Sequence, residues 1–259
     1  MADTIIECKN CRNKFQGKFC NNCGQQSNTK RINFSYLLDQ ISNSLLQLEH
    51  VFFFTIKELF TRPGHSIREF IEGKRKRHFK PLAFVLITSS IYLIAAYFAE
   101  NTTYLEESFS GIAEGIESTN KKDSLSTTKN ILNWLSTHSD YATLVLLPLF
   151  SFASVISFAR FKYNFVEHLI LNIYITGQQT LIFIVFILLN FVIDDPDNWL
   201  QVIASWISTL CIFWTFFQFF NTKKTISKLL LTVLTGLLYY TFIFIIMFMV
   251  GFLEIVFTH

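Results

Sequence analysis

Four cysteines open the chain in two pairs. Cys8-Lys-Asn-Cys11 and Cys20-Asn-Asn-Cys23 stand eight residues apart. Each Cys-x-x-Cys presents two thiolates on one tight turn, and two such turns complete a tetrahedral four-thiolate set, the donor chemistry of structural zinc. Phe15 to Phe19 fits a short hairpin turning at Gly17, with two aromatics to cover the metal. Gly24 follows the second pair, where backbone amides approach sulfur closely and a positive φ is useful. Two disulfides would need an oxidising compartment. A redox-active pair would need a βαβ context, which the flanking residues do not offer. Rubredoxin-like iron is the other metal reading, but the interval between the pairs is short for it. A piece this small, below about 40 residues, buries too little core to fold alone. Residues 1–27 are therefore expected to fold around one structural Zn2+ held by Cys8, Cys11, Cys20 and Cys23. Cys211, inside an apolar stretch, reads as a small buried hydrophobe.

Two other groups could carry chemistry. Lys74, Arg75, Lys76, Arg77 and Lys80 form a basic collar just before an apolar run. Such a collar fixes orientation in a membrane. It also suits anionic lipid or phosphate groups, each basic residue adding about 1 kcal/mol near the surface. Nucleic acid is not expected, because the patch is pinned to the bilayer. The second group lies at the start of a later apolar run, where Glu167 and His168 precede Asn172. His168 and Asn172 are i, i+4 and share a face; Glu167 points elsewhere. This is either a metal or proton site or an interhelical clamp, and the clamp is favoured because amides in spans commonly serve as glue. No phosphate-binding loop, nucleophile elbow or zinc-protease signature occurs. That absence argues against an enzyme.

The elements that must hold these groups are membrane spans. Of 259 residues, 51% are hydrophobic and 16% charged, whereas a soluble domain carries nearer 25% charge. Apolar runs at 82–98, 141–159, 168–193, 199–220 and 229–257 approach or exceed the ~20 residues needed to cross a bilayer. Pro148 is tolerated inside the second. Residues 1–80 hold 14 Lys/Arg against 7 Asp/Glu, and 100–140 hold 3 against 7. Loop 160–167 is basic, 194–198 acidic and 221–228 basic, so charge alternates in step with the spans. This predicts a cytoplasmic N-terminus and an external C-terminus. No charged n-region and apolar h-region precede the cysteines, so no cleavable signal is expected. Between head and spans, 33–50 shows helical spacing. Residues 51–60 are too short to cross, and read as an interfacial helix or as one packed on the bundle. Ile131 to Leu135 suits a short amphipathic helix outside, and the middle of the 99–140 loop is expected to be mobile. Tyr239 and Tyr240 read as packing residues.

In combination the motifs resemble a group of bacterial membrane proteins catalogued as domain of unknown function 3667. The resemblance rests on the two cysteine pairs with Cys23-Gly24-Gln25, Arg31-Ile32, Pro63-Gly64, Gly73-Lys74-Arg75, Lys80-Pro81 and Val166-Glu167-His168-Leu169. It implies a multi-pass protein of the bacterial inner membrane with a zinc ribbon, and no known activity.

The expected fold is thus an all-α polytopic membrane protein with five transmembrane helices and a small zinc-ribbon head. Residues 1–27 form the head, 28–81 the amphipathic helices and collar, and 82–259 the spans, with an external loop at 99–140. The expected function is that of a non-enzymatic adaptor or scaffold. Its ribbon and collar would bind a cytoplasmic protein partner or anionic membrane lipid. The alternative is a small transporter or membrane enzyme using the polar residues of the third span.

Overall fold

The computed structural model describes residues 5–27, 29, 31–34, 49–99, 110–115, 126–137, 139–193, 199–221 and 225–258. Most of the expected helix at 33–50, the middle of the 99–140 loop and the acidic 194–198 loop lie outside these residues.

The head carries a two-stranded antiparallel ribbon, β1 (Ile6–Glu7) and β2 (Lys14–Phe15). Helix α1 (Glu49–Thr61) and α2 (Pro63–Glu72) form a hairpin ahead of the long helices. Then come α3 (Pro81–Ala99), α4 (Ser126–Thr137), α5 (Ser139–Ser157), α6 (Phe165–Asn190), α7 (Trp199–Phe219) and α8 (Thr225–Thr258).

Local chemistry explains the boundaries. Pro63 and Pro81 open α2 and α3, where a missing N–H costs nothing. Gly73 ends α2 in the left-handed region at φ 116°. Its N–H bonds Phe70 O and that of Lys74 bonds Glu69 O, a paired C-terminal cap that favours a residue without Cβ. Asn164 and Glu167 start α6 with reciprocal side-chain caps of 2.8 and 2.7 Å.

Among the described residues, four helices are long and apolar enough to cross a membrane: α3, α6, α7 and α8 as far as Val250. The run expected at 141–159 is helical as α5, but its described apolar part, Val145–Ser157, is shorter. Helix α6 is central. Of its apolar stretch 61% is buried, against 22% for α3 and α7 and 6% for α8, so the others turn broad faces outward.

The main core lies at one end of the bundle, joining Leu59, Ile67, Phe70, Phe84, Tyr174 and Phe216. Here the α1–α2 hairpin wedges in. The Gln178 amide donates to Leu59 O at 2.9 Å, and Phe79 N–H donates to Thr55 Oγ1 at 2.7 Å. Residues 51–60 are therefore a helix packed on the bundle, with Phe53 and Phe60 exposed on its other side. Helix α2 meets α7 backbone to backbone. A Cβ on Gly64 would lie 2.3 Å from Phe219 N, and the Arg68 guanidinium donates to the Gln218 and Phe219 carbonyls.

At the far end, Leu132 of α4 packs with Ala113, Leu146 and Met247. The short amphipathic helix expected at 131–135 is thus the middle of a longer one. Tyr239 packs edge-on against Phe150, and Tyr240, though exposed, keeps a ring contact with Tyr239 at 5.4 Å. Cys211 is half-buried rather than enclosed.

Candidate metal centre

The two cysteine turns share one design. Cys8 N–H donates to Asn13 O and Arg12 N–H to Cys8 O; Cys20 N–H donates to Gln25 O and Gly24 N–H to Cys20 O, all at 2.8–2.9 Å. Arg12 at φ 61° and Gly24 at φ 70° hold matching left-handed positions. The turns face each other and bring all four sulfurs within 4.8 Å. Cys8 and Cys23 sulfurs are 3.6 Å apart, as are those of Cys11 and Cys20. A disulfide needs about 2.05 Å. Tetrahedral zinc, with Zn–S near 2.3 Å, needs sulfurs about 3.8 Å apart. The cysteines are free, and the cluster can hold one metal ion. Burial pushes the Cys20 thiol up, but the backbone N–H groups of Cys23 and Asn22 outweigh it and hold it down at about 6. Thiolates are the ligands a metal requires.

Phe15 closes the inner side of the cluster, 5% exposed, while Phe19 is 61% exposed. The expected Phe15–Phe19 hairpin is corrected here. Phe15 pairs instead with Ile6, and Phe19 forms a bridge with Gln26.

The ribbon sits on the collar through a residue whose role spacing could not reveal. Gln25 is buried; its amide donates to Gly73 O at 2.9 Å and accepts from Arg75 N–H and Lys76 N–H at 3.2 and 3.3 Å. Gly73 admits the Lys9 side chain, whose Cδ would lie 2.8 Å from a Cβ there. A second tether follows. Arg31 grips Glu167 with two bonds of 2.8 and 2.7 Å and donates to Lys162 O, while Ile32 is buried in the main core. Glu167 is thus both cap and anchor, and the head is joined to the start of α6.

Part of the collar is engaged within the fold. Lys74 pairs with Glu69 at 3.1 Å, Arg75 supports Phe70 O, and burial pushes the Lys80 ammonium down. Lys76 and Arg77 are exposed.

His78 turns inward. Its Nδ1 lies 3.2 Å from Ser66 Oγ, and Phe54 and Phe70 flank the ring. Burial pushes its pKa down to about 4; Glu69 opposes this, and Arg62, Lys74 and Arg77 reinforce it. Because the folded value lies below the ordinary 6.5, the unfolded chain takes up the proton first. Stability should fall as pH drops from 6.5 towards 4, by up to about 3 kcal/mol. Thermal unfolding in detergent across that range should show the loss, and His78→Gln should reduce it.

The polar group of the third span divides. Asn172 Nδ2 reaches Ser151 and Ser154 at 3.1 and 3.2 Å, and His168 Nδ1 lies 2.9 Å from Ser154 Oγ. His168 and Asn172 are at most 1% exposed, so they clamp α5 to α6. Glu167 turns to Arg31 instead.

A family model described as a protein of unknown function, DUF3667, matches residues 49–93. Over α1, α2, the collar and the first part of α3, the chain is similar to that family. The matched segment contains Pro63-Gly64, Gly73-Lys74-Arg75 and Lys80-Pro81, the hairpin tip and the seat of the ribbon. No curated protein and no solved structure gives a significant match.

Proposed function

We propose that this protein is a membrane scaffold of the bacterial inner membrane, with five spans, a cytoplasmic N-terminus and one structural zinc. The supporting observation is the Gln25 seat. It makes ribbon and collar one platform, fastened again at Arg31 and Glu167. Four sulfurs fill a tetrahedral shell and leave no open position for substrate, which favours a structural metal over a catalytic one. The clamped state of His168 and Asn172 argues against their use in transport or catalysis.

The proposed orientation is supported by what gathers at the platform end. Arg160 reaches Ser227 at 2.8 Å and Lys228 reaches Phe217 O at 2.9 Å, so both basic residues gather at the end of α7 on which α2 packs through Arg68. Lys/Arg near span ends favour the cytoplasm. Helix α5 is the fifth span, completed by the residues before Val145.

The platform binds anionic lipid or an acidic partner surface through Lys76 and Arg77. Replacing both with Gln should lower anionic lipid co-purifying with the protein by at least half, the difference shrinking as salt rises. Topology reporters should stay active after residue 259 and silent before Cys8. Unchanged lipid at every salt concentration would reduce the collar to a topology signal, and a silent C-terminal reporter would overturn the five-span reading.

A further inference from the structure

We infer that a cavity between α3, α5, α6, α7 and α8 is a binding site for an uncharged glycerolipid of the diacylglycerol type. The cavity encloses about 570 Å3 and is separate from ribbon and collar. That size is ordinary for a small-molecule site. Leu147, Phe150, Phe183, Ile212 and Phe213 provide apolar walls, and none of the lining residues is charged. An ionised headgroup would lose its hydration there without gaining a counter-charge.

The polar lining has a definite sense. The hydroxyls of Thr180, Ser205 and Thr232 each donate to a carbonyl one turn back in their own helix, which leaves their lone pairs to accept. Ser208 differs. It is 2% exposed, lines the cavity, and its Oγ has no partner. The site therefore offers acceptors for a free hydroxyl, and Ser208 together with the Gln179 amide offers donors for carbonyls. A glycerol carrying one hydroxyl and two esters meets both. The entrance lies on the flank. Thr209 of α7 and Val233, Leu237 and Tyr240 of α8 line the cavity and are exposed, so it opens sideways towards the bilayer rather than towards either end. Gly236 marks unfilled space: a Cβ there would meet nothing within 4 Å.

The test uses the full chain in phosphatidylcholine nanodiscs with a diacylglycerol probe carrying a diazirine on one acyl chain. Cross-links should concentrate in 205–213 and 232–240. Unlabelled diacylglycerol should compete, and phosphatidylglycerol with the same chains should not. Gly236→Phe should cut labelling at least fivefold, and Gly236→Ala should leave it unchanged. Ser208→Ala, which keeps the volume, should lower labelling at least threefold, and it decides the matter if Gly236→Phe fails to fold. Labelling spread evenly over the lipid-facing helices, equal competition by phosphatidylglycerol, full labelling of Gly236→Phe, or full labelling of Ser208→Ala would each overturn the assignment.

Discussion

Replacing Cys20 with Ser should empty the ribbon of metal and loosen it from the collar. Elemental analysis of the wild-type protein should give about one zinc per chain, and the variant should retain less than a tenth of that. The effect is large because the ribbon has little else to hold it. Its own core is Phe15 with the cysteines and Ile6, and a structural zinc contributes about 10 kcal/mol or more in such small units. Without it, the turn that presents Gln25 has no reason to persist, since Gln25 O is itself bonded to Cys20 N–H. Protease cleavage after Lys14 or Lys18 should therefore become fast in the variant. Full zinc retention in Cys20→Ser, or iron in place of zinc in the wild type, would sink the assignment.

Gly64→Ala should be the most damaging small substitution in the α1–α2 hairpin. In an open helix the change would add roughly 1 kcal/mol of stability. Here the new methyl would meet Phe219 N at 2.3 Å and both Gln218 Cβ and Thr215 O at 2.5 Å. Two of those atoms are backbone and cannot rotate away. Helix α2 must lift off α7, taking with it the bond from Gly64 N–H to Gln218 and the Arg68 clamp. Overpacking of this kind costs about 3 kcal/mol, which for a chain of this size lowers the melting temperature by about 6–12 °C. A thermal melt in detergent reads it. Gly236→Ala, with open space around it, is the matched control. A Gly64→Ala protein as stable as wild type would mean that α2 does not sit on α7 this closely.

Local patterns in the sequence carried the cysteine cluster, the helix start at Pro81 and most span limits, because each depends on neighbours a few residues away; Pro63-Gly64 reads locally as a break, yet Pro63 opens α2. What spacing could not carry was pairing at a distance. Gln25 looked like the tail of a cysteine motif, and only the fold brings Gly73 to it. Glu167 and His168 are adjacent, yet one faces Arg31 and the other Ser154, since neighbours on a helix point about 100° apart. Phe19 was paired with Phe15 by the hairpin pattern, but the β1–β2 register uses Phe15 and leaves Phe19 outside. Residues 51–60 matched an interfacial helix in composition, and the partner that packs them, Gln178, lies far along the chain.

The two fastenings of the head become available at different times during synthesis. Gln25 meets Gly73, 48 residues later, as soon as the collar has left the ribosome. Arg31 must wait for Glu167, 136 residues away and on a helix that follows two further apolar ones. Between Gly73 and Glu167, at 5–20 residues per second, this interval is about 5–19 s. During it a finished head would rest on the collar while the core that takes Ile32 still lacks Ile170, Leu171 and Tyr174. The nascent chain therefore passes through a half-fastened form whose exposed linker is a natural target for chaperones or proteases, and the arrival of α6 ends that exposure.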